Sequence, residues 1–270
     1  GTTYHLGSLE TVQLTGGPSA NVLDASGYSR GTTLEGLGGN DWLLGGSGDD
    51  RFIYNANAGS NLGTDRVTGG AGFDTLDFSG TTVAGVYVHL GDTSGYVVNS
   101  NLSLLLGSNA DLEAVIGGGG NDILIGNALD NLLIGGPGND QLAGGPGDEV
   151  YAYDTDTNWG SDVITENAGE GNDTIDFSAT TGRSVVLDLS VSGPQQVNAN
   201  LTLEIGGDGE IENLIGGSRD DFLGGNEFGQ NLYGGPGADE LKGRGGDDYL
   251  DGGPGNDLLD GGSGNDYIEE

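Results

Sequence analysis

Acidic residues recur at a fixed spacing along this chain, and that spacing is the feature that could do chemistry. From residue 216 to 269 the sequence divides into six nonapeptides that begin with glycine and carry Leu or Ile at position eight. An acid stands at position six in five of them, and Gln230 stands in the other. Carboxylates are hard oxygen ligands and select Ca²⁺ or Mg²⁺ over softer metals.

The same nonapeptide fills two earlier blocks, at 117–152 and 36–53, and isolated copies lie at 69–77 and 168–176. Glu113 and Glu212 hold the equivalent place just before the two longer blocks. The acids and the amide that we take as candidate metal ligands are Asp41, Asp50, Glu113, Asp122, Asn131, Asp140, Glu149, Glu212, Asp221, Asp239, Asp248, Asp257 and Asp266.

Stacking explains why these acids need a cation. If two nonapeptides make one coil, residues 18 apart lie at the strand spacing of about 4.8 Å. Carboxylates at that distance repel each other unless a cation lies between the coils. A wide cage of carboxylates and backbone carbonyls favours Ca²⁺ over Mg²⁺, which prefers a tight octahedron with waters. The predicted columns are Asp122/Asp140, Asp221/Asp239/Asp257 and Asp248/Asp266.

Departures from the motif predict weaker sites. The columns Glu113/Asn131/Glu149 and Glu212/Gln230/Asp248 contain amides or longer acids, so we expect weaker binding or altered geometry there. Asp41 and Asp50 have Leu23 and Thr32 where an upstream partner should stand. We expect about four strong Ca²⁺ sites and up to four weaker ones.

Four further residues that could bind a ligand are predicted to have ordinary surface or packing roles. Asp74 and Asp173, in the isolated copies, are predicted to be solvated charges rather than ligands. Trp42 and Trp159 are predicted to pack or to mediate assembly, although either could stack on a sugar.

The elements that must position these acids are short strands. The glycines of each nonapeptide permit tight turns and close approach of neighbouring coils. The apolar eighth residue points inward and its neighbours point outward. A shift of 99 residues superposes Asp74 on Asp173 and Gly117 on Gly216, so the chain contains a tandem duplication with β-rich inserts. Whether these inserts continue the stack or leave it as side sheets stays open.

These patterns predict an all-β fold without helices, a parallel β-roll or β-solenoid of nonapeptide repeats. We divide the chain into an N-terminal β segment or cap at 1–35, a first repeat block with insert at 36–116, a second at 117–215, and a C-terminal nonapeptide roll at 216–270.

Composition excludes several classes of protein. The formal net charge of -35 argues against nucleic-acid binding, which needs clustered Lys and Arg, and against binding to anionic membranes. No apolar run approaches the length of a membrane span, about 18 residues. Cysteine is absent, so disulfides and thiol chemistry are excluded. A repeating ladder of acids offers no unique acid–base pair, and we therefore expect no enzyme activity.

The contiguous nonapeptides resemble those of RTX proteins, the hemolysin-type calcium-binding repeat family with a parallel β-roll. The resemblance implies that each Ca²⁺ is held by the position-six carboxylate together with turn carbonyls at positions one and three. The carbonyl ligands implied in this way are those of Gly117, Gly119, Gly135, Pro137, Gly234, Pro236, Gly252 and Pro254.

The resemblance also implies a secreted, extracellular or cell-surface protein that folds when it meets Ca²⁺. We expect a structural or self-assembling protein of a fibre, surface layer or matrix, with end-to-end association through uncapped sheet edges. The alternative is a calcium-dependent folding or secretion module of a larger secreted enzyme, toxin or adhesin. A carbohydrate-binding module with polysaccharide contact is the weaker alternative. The given sequence ends inside a repeat, at Glu270, whereas relatives usually carry the export signal in a trailing segment. We therefore expect a trimmed chain, a fragment or a different export route.

Overall fold

The computed structural model describes residues 12–107, 111–167, 171–207 and 211–269. Every regular element in these ranges is a β-strand. The described residues contain no helix that is long and apolar enough to cross a membrane. The predicted all-β, parallel β-roll fold is therefore confirmed. The chain divides into two compact units, Gly1–Leu129 and Asp130–Glu270, which we call the first and the second unit.

The first unit is built from parallel strands that the chain visits in turn. One sheet has the order β1-β3-β5-β7-β11 and another has β2-β4-β6-β10, while β8 pairs with β12. Its strands are β1 (Val12–Gly17), β2 (Val22–Asp24), β3 (Thr32–Leu37), β4 (Trp42–Leu44), β5 (Arg51–Ile53), β6 (Gly63–Thr68), β7 (Thr75–Asp77), β8 (Tyr87–His89), β9 (Tyr96–Asn99), β10 (Leu102–Leu106), β11 (Ala114–Ile116) and β12 (Ile123–Ile125).

The second unit repeats this plan. Its sheets have the orders β13-β15-β17-β21-β23-β25-β27, β14-β16-β20 and β18-β22-β24-β26. Its strands are β13 (Leu132–Ile134), β14 (Gln141–Ala143), β15 (Val150–Ala152), β16 (Gly160–Glu166), β17 (Thr174–Asp176), β18 (Val186–Asp188), β19 (Gln195–Asn198), β20 (Leu201–Gly207), β21 (Asn213–Ile215), β22 (Phe222–Gly224), β23 (Asn231–Tyr233), β24 (Glu240–Gly245), β25 (Tyr249–Asp251), β26 (Leu258–Ser263) and β27 (Tyr267–Glu269).

The inserts continue the roll, which answers the question that the sequence left open. Where the nonapeptides are contiguous, paired residues are 18 apart, as for Leu223 and Leu241. Across inserts the spacing grows to 24 for Tyr151 and Ile175, and to 39 for Ile175 and Leu214, yet the pairing stays parallel. The extra residues therefore enlarge the loops of single coils. In the part of the chain that the structure describes, only β9 and β19 pair antiparallel, with β10 and β20.

A column of apolar side chains forms the interior of each coil. The position-eight residues Leu223, Leu232, Leu241 and Leu250 are fully buried, whereas the strand neighbours of Leu232, Leu241 and Leu250 are partly exposed. One inward side chain per strand is too little to fold alone, so burial depends on stacking of successive coils. Ile268, at position eight of the last nonapeptide, is 47% exposed because no described coil covers it.

Candidate metal centre

The position-six acids form hydrogen-bonded columns in the predicted register. The amide of Asp221 donates to Asp239 Oδ1 at 2.7 Å, that of Asp239 to Asp257 Oδ1 at 2.9 Å, and that of Asp248 to Asp266 Oδ1 at 3.1 Å. One carboxylate oxygen of each acid is thus used to join two coils. The other oxygen is left for a different partner.

The columns extend into the inserts through residues that sequence analysis missed. The amide of Asp41 donates to Asp65 Oδ1 at 2.8 Å, and that of Asp140 donates to Asp162 Oδ1 at 3.0 Å. Asp65 and Asp162 lie outside the nonapeptide frame. A shared pattern, Gly-Thr/Ser-Asp at the start of β6 and β16, could have shown that they are equivalent.

The interpretation of Asp74 and Asp173 as solvated charges is wrong. Asp74 is fully buried and accepts the amide of Asp50 at 2.7 Å, while Asp173 is 2% exposed and accepts the amide of Glu149 at 3.0 Å. Their own amides donate to the carboxylates of Glu113 and Glu212, both at 2.7 Å. The inserts between these residues only lengthen the loops, so the columns continue through them.

The residue stacked on Asp41 lies two positions before the one that an 18-residue spacing indicates. The sequence spacing of 18 pointed to Leu23, but the amide that donates to Asp41 Oδ1 belongs to Asn21, at 2.8 Å. This coil is longer, since Val22 pairs with Trp42. At Asp50 the 18-residue spacing holds, and both the amide and the hydroxyl of Thr32 donate to Asp50 Oδ1.

Glycine at position one provides the space for each carboxylate. A Cβ on Gly234 would lie 2.6 Å from Asp239 Oδ2, and one on Gly252 would lie 2.6 Å from Asp257 Oδ2. The equivalent distance for Gly135 and Asp140 Oδ2 is 2.5 Å. Any side chain at these positions would displace the acid, so glycine is required by the close approach of the carboxylate.

Position two divides the nonapeptide turns into two kinds. In the first kind, which we call closed turns, the position-two amide donates to the position-six side chain. The amides of Gly46, Gly118 and Gly217 donate to Asp50, Asp122 and Asp221 at 2.6, 2.7 and 2.6 Å, and that of Asn226 donates to Gln230 at 2.9 Å. Both oxygens of these three aspartates therefore accept hydrogen bonds from the protein.

In the second kind, which we call open turns, position two has a positive φ. The residues concerned are Leu37, Gly70, Gly136, Gly145, Gly235, Arg244, Gly253 and Gly262. The corresponding acids include Asp41, Asp74, Asp239 and Asp248, whose Oδ2 atoms are buried and have no hydrogen-bond partner among the described residues. A non-glycine residue at positive φ costs about 1–2 kcal/mol. The open turn at Arg244 (φ 80°) is thus held against local strain.

Comparison with known proteins identifies the repeats. A family model described as the RTX calcium-binding nonapeptide repeat matches in four copies, at residues 26–59, 60–77, 116–148 and 233–268. The chain carries RTX calcium-binding repeats. A curated relative, the metalloprotease AprA of Pseudomonas entomophila (strain L48), is 38% identical over 84 residues, which are 31% of this chain and 17% of that protein. The chain therefore covers about a sixth of this relative's length.

Burial makes the open-turn acids of the RTX repeats unfavourable as bare anions. Desolvation is the largest cause that raises the pKa of Asp41, Asp239 and Asp248. Desolvation and then the nearby acids Asp50 and Glu113 raise the pKa of Asp74 to about 7, against a backbone hydrogen bond that lowers it. A buried carboxylate needs a proton or a cation as partner.

Backbone carbonyls complete the fit to a hard cation. The point that a Cβ on Gly234 would occupy lies 2.6 Å from Asp239 Oδ2 and 2.7 Å from the carbonyl oxygen of Gly252 in the next coil. A position-one carbonyl and a position-six carboxylate of adjacent coils thus converge. The position-three carbonyl of Pro254, in contrast, accepts the amide of Gly237 at 3.2 Å.

The remaining predicted ligands are placed as follows. Asp122, Asn131, Asp140, Glu149 and Gln230 are buried, whereas Asp257 and Asp266 are partly exposed. Gly117 and Gly119 flank the amide that closes the turn on Asp122. Trp159 is 6% exposed and its ring lies against Tyr153, so it packs in the interior, while Trp42 is 44% exposed beneath the guanidinium of Arg66.

Proposed function

We propose that this chain is an extracellular protein that folds upon binding Ca²⁺ through its open-turn carboxylates. The observation that carries the proposal is the set of buried Oδ2 atoms of Asp41, Asp74, Asp239 and Asp248, which lack a hydrogen-bond partner in the described residues. When bound, Ca²⁺ would supply the positive charge that these atoms lack. Position-one carbonyls such as that of Gly252 are the further ligands we assign.

The net charge explains why folding should depend on the ion. A chain of charge -35 with 58 glycines is favoured in an expanded state by charge repulsion and by backbone entropy. Because the site exists only in the stacked coils, the binding free energy of each ion contributes to folding. Sites of extracellular modules bind Ca²⁺ with dissociation constants of about 10⁻⁴–10⁻³ M, far above cytosolic concentrations.

Titration of the EGTA-treated chain with Ca²⁺ tests this proposal. We expect far-UV circular dichroism to change from disordered to β-rich, with a fall in the radius of gyration in small-angle X-ray scattering. Mg²⁺ at the same ionic strength is the control and should leave the chain expanded. A chain that keeps the same spectrum and melting temperature in EGTA and in Ca²⁺ would contradict the proposal.

We further propose that the roll serves assembly. The last described coil exposes the apolar residues Leu258, Tyr267 and Ile268, at 61%, 59% and 47%. Strands β26 and β27 each have one described neighbour, so their outer edges can accept another coil. That coil would come from a second copy of this chain in the structural, fibre-forming role.

A folding module of a larger secreted protein is the second candidate. The similarity to a protein named as a metalloprotease, confined to 31% of this chain, favours it. In this case the added coil would belong to further residues of the same polypeptide. Analytical ultracentrifugation and electron microscopy in Ca²⁺ distinguish the two, since fibres support assembly and stable monomers support the module. In neither role do we assign a catalytic residue.

A further inference from the structure

Three buried carboxylates meet in the second unit, and one of them belongs to no nonapeptide. Glu149 and Asp173 stand at position six of their repeats, but Glu166 ends the insert strand β16. One carboxylate oxygen from each residue lies within 4.8 Å of the other two. All three side chains are buried, at 2% exposure or less.

Glu149 points into this cluster with both oxygens unused. Its side chain is fully buried, and neither Oε1 nor Oε2 has a hydrogen-bond partner among the described residues. The turn is an open one, since Gly145 has a φ of 95°. The amide of Gly144 donates to the hydroxyl of Tyr151 at 2.7 Å, and that hydroxyl donates to Glu166 Oε1. The surrounding groups thus fix Glu166 but leave Glu149 without a donor.

The first unit lacks this arrangement at the corresponding positions. Gly63 and Gly160 both begin an insert strand at positive φ and pair with Leu102 and Leu201, which aligns β6 with β16. The residue that corresponds to Glu166 is then Gly69. A Cβ on Gly69 would collide with Asp74 Oδ2 and with the carbonyl of Asp111, so no side chain fits there.

The hydroxyl that holds Glu166 also has no counterpart at the corresponding described position of the first unit. The 99-residue shift places Phe52 at the position of Tyr151 and Asp50 at that of Glu149. The tyrosine hydroxyl, the longer acid and the extra carboxylate therefore occur together in the second unit, and Phe52, Asp50 and Gly69 stand at the corresponding positions of the first. A structural role for the duplicated coil does not require them.

We propose that Glu149, Glu166 and Asp173 form a Ca²⁺ site of a different kind from the repeat turns, closed by the carboxylate of the insert. Calcium–oxygen distances are 2.3–2.6 Å, so ligands on opposite sides of the ion lie about 4.6–5.2 Å apart. Separations of 4.8 Å or less fit one such ion. Three carboxylates also supply more charge than a single Asp and carbonyls do, which favours tighter binding.

A shared proton is the competing occupant. Burial, and then Asp173 and Glu166, raise the pKa of Glu149, so a proton shared within the cluster would compete with a cation.

The test uses the full chain with Glu166→Gln, and Glu204→Gln as the matched control. Glu204 lies on β20, pairs with Val163 of β16, is partly exposed and lies outside the cluster. Equilibrium dialysis with ⁴⁵Ca²⁺ at pH 8 should show that Glu166→Gln binds one ion fewer, with Glu204→Gln unchanged. Equal numbers of ions at equal affinity in Glu166→Gln and the wild type would overturn the proposal.

Terbium luminescence gives a second measurement on the folded protein. Tb³⁺ is a probe of Ca²⁺ sites, and the hydroxyl of Tyr151 contacts this one through Glu166. Tyr151→Phe and Glu166→Gln should both lower the tyrosine-sensitised emission. If Glu166→Gln instead binds every ion and keeps the sensitised emission of the wild type, the cluster shares a proton and the proposal fails.

The outcome is separable from that of the proposed function. Asp239→Asn probes an open repeat turn without contact to the cluster. If Asp239→Asn leaves Ca²⁺ binding intact while Glu166→Gln loses an ion, the repeat sites fail and the cluster stands. The reverse result leaves the proposed function standing and removes the cluster site.

Discussion

At the scale of the residue, two aspartates of one column have different hydrogen-bond partners. Asp221 accepts the amides of Val185 and Gly217, one at each oxygen, at 2.7 and 2.6 Å. Asp239, one coil later, accepts the amide of Asp221 at Oδ1, while its buried Oδ2 has no partner in the described residues. Both aspartates stand at position six of their nonapeptides. The backbone conformation at position two therefore decides which of them has an oxygen available for a cation.

This difference predicts the result of replacing each aspartate by asparagine. Asp239→Asn should lower the affinity of one Ca²⁺ site at least tenfold, since an amide removes the charge from the free oxygen. Asp221→Asn should change Ca²⁺ affinity less, although it weakens two backbone hydrogen bonds. Isothermal titration calorimetry of both variants is the measurement. Equal losses would show that the two kinds of turn do not differ in binding.

At the scale of the element, each turn is shaped around its carboxylate. Position-one glycines give space to the acid of their own turn, and their carbonyls approach the preceding coil, as Gly252 does toward Gly234. The strand that follows contributes one buried residue, such as Leu241. Turn and strand therefore stabilise each other only in a stack, because both of their partners come from neighbouring coils.

Gly234→Ala tests this dependence, with Gly27→Ala as its control. A Cβ at Gly234 would press on Asp239 Oδ2 and on the Gly252 carbonyl, at 2.6 and 2.7 Å. We expect a loss of about 1–3 kcal/mol in the free energy of unfolding in Ca²⁺, together with one weakened site. Nothing lies within 4 Å of a Cβ on Gly27, so that variant should stay within about 0.5 kcal/mol. Equal melting temperatures for the two variants would show that the space between Gly234, Asp239 and the Gly252 carbonyl can accommodate a methyl group.

At the scale of the whole molecule, charge controls stability. The chain carries 42 acids against 7 lysines and arginines, and many acids are buried in the columns. Mainly through desolvation, burial raises the pKa of Asp65 and of Asp74 to about 7 in the folded state, from 3.8. Between these values the folded state binds more protons than the unfolded state, so its stability falls as pH rises.

The metal-free chain should therefore be more stable at pH 5 than at pH 8. Most of the loss should lie between about pH 4 and pH 7, the interval between the unfolded and folded pKa values of Asp65 and Asp74. With saturating Ca²⁺ the order should reverse, because the ion binds the ionised carboxylates. Far-UV circular dichroism of the EGTA-treated chain across this range, which reports the folded fraction at each pH, and thermal melts in Ca²⁺ are the measurements. A metal-free stability that rises toward pH 8 would show that these buried acids do not take up protons on folding.

The structure of the regular nonapeptides was predictable because each position has the same role in every repeat. Glycine at position one indicates the turn, an acid at position six the ligand, and Leu or Ile at position eight the core. The register of Asp239 on Asp257 followed from counting 18 residues. Counting fails where loops differ in length. Asn21 in place of Leu23, and the burial of Asp74, depend on coils of 20 and 24 residues.

The sequence by itself determined the β-roll, the acidic columns and the kind of cation they suit, because these follow from local residue types and their period. Only the tertiary structure decided which oxygens lack a donor, as in Asp239, and which distant acids meet, as Glu166 does with Glu149. Backbone φ at position two and the length of each loop set those outcomes. Both depend on the contacts between one coil and the next, and those contacts cannot be derived from the spacing of residues along the chain.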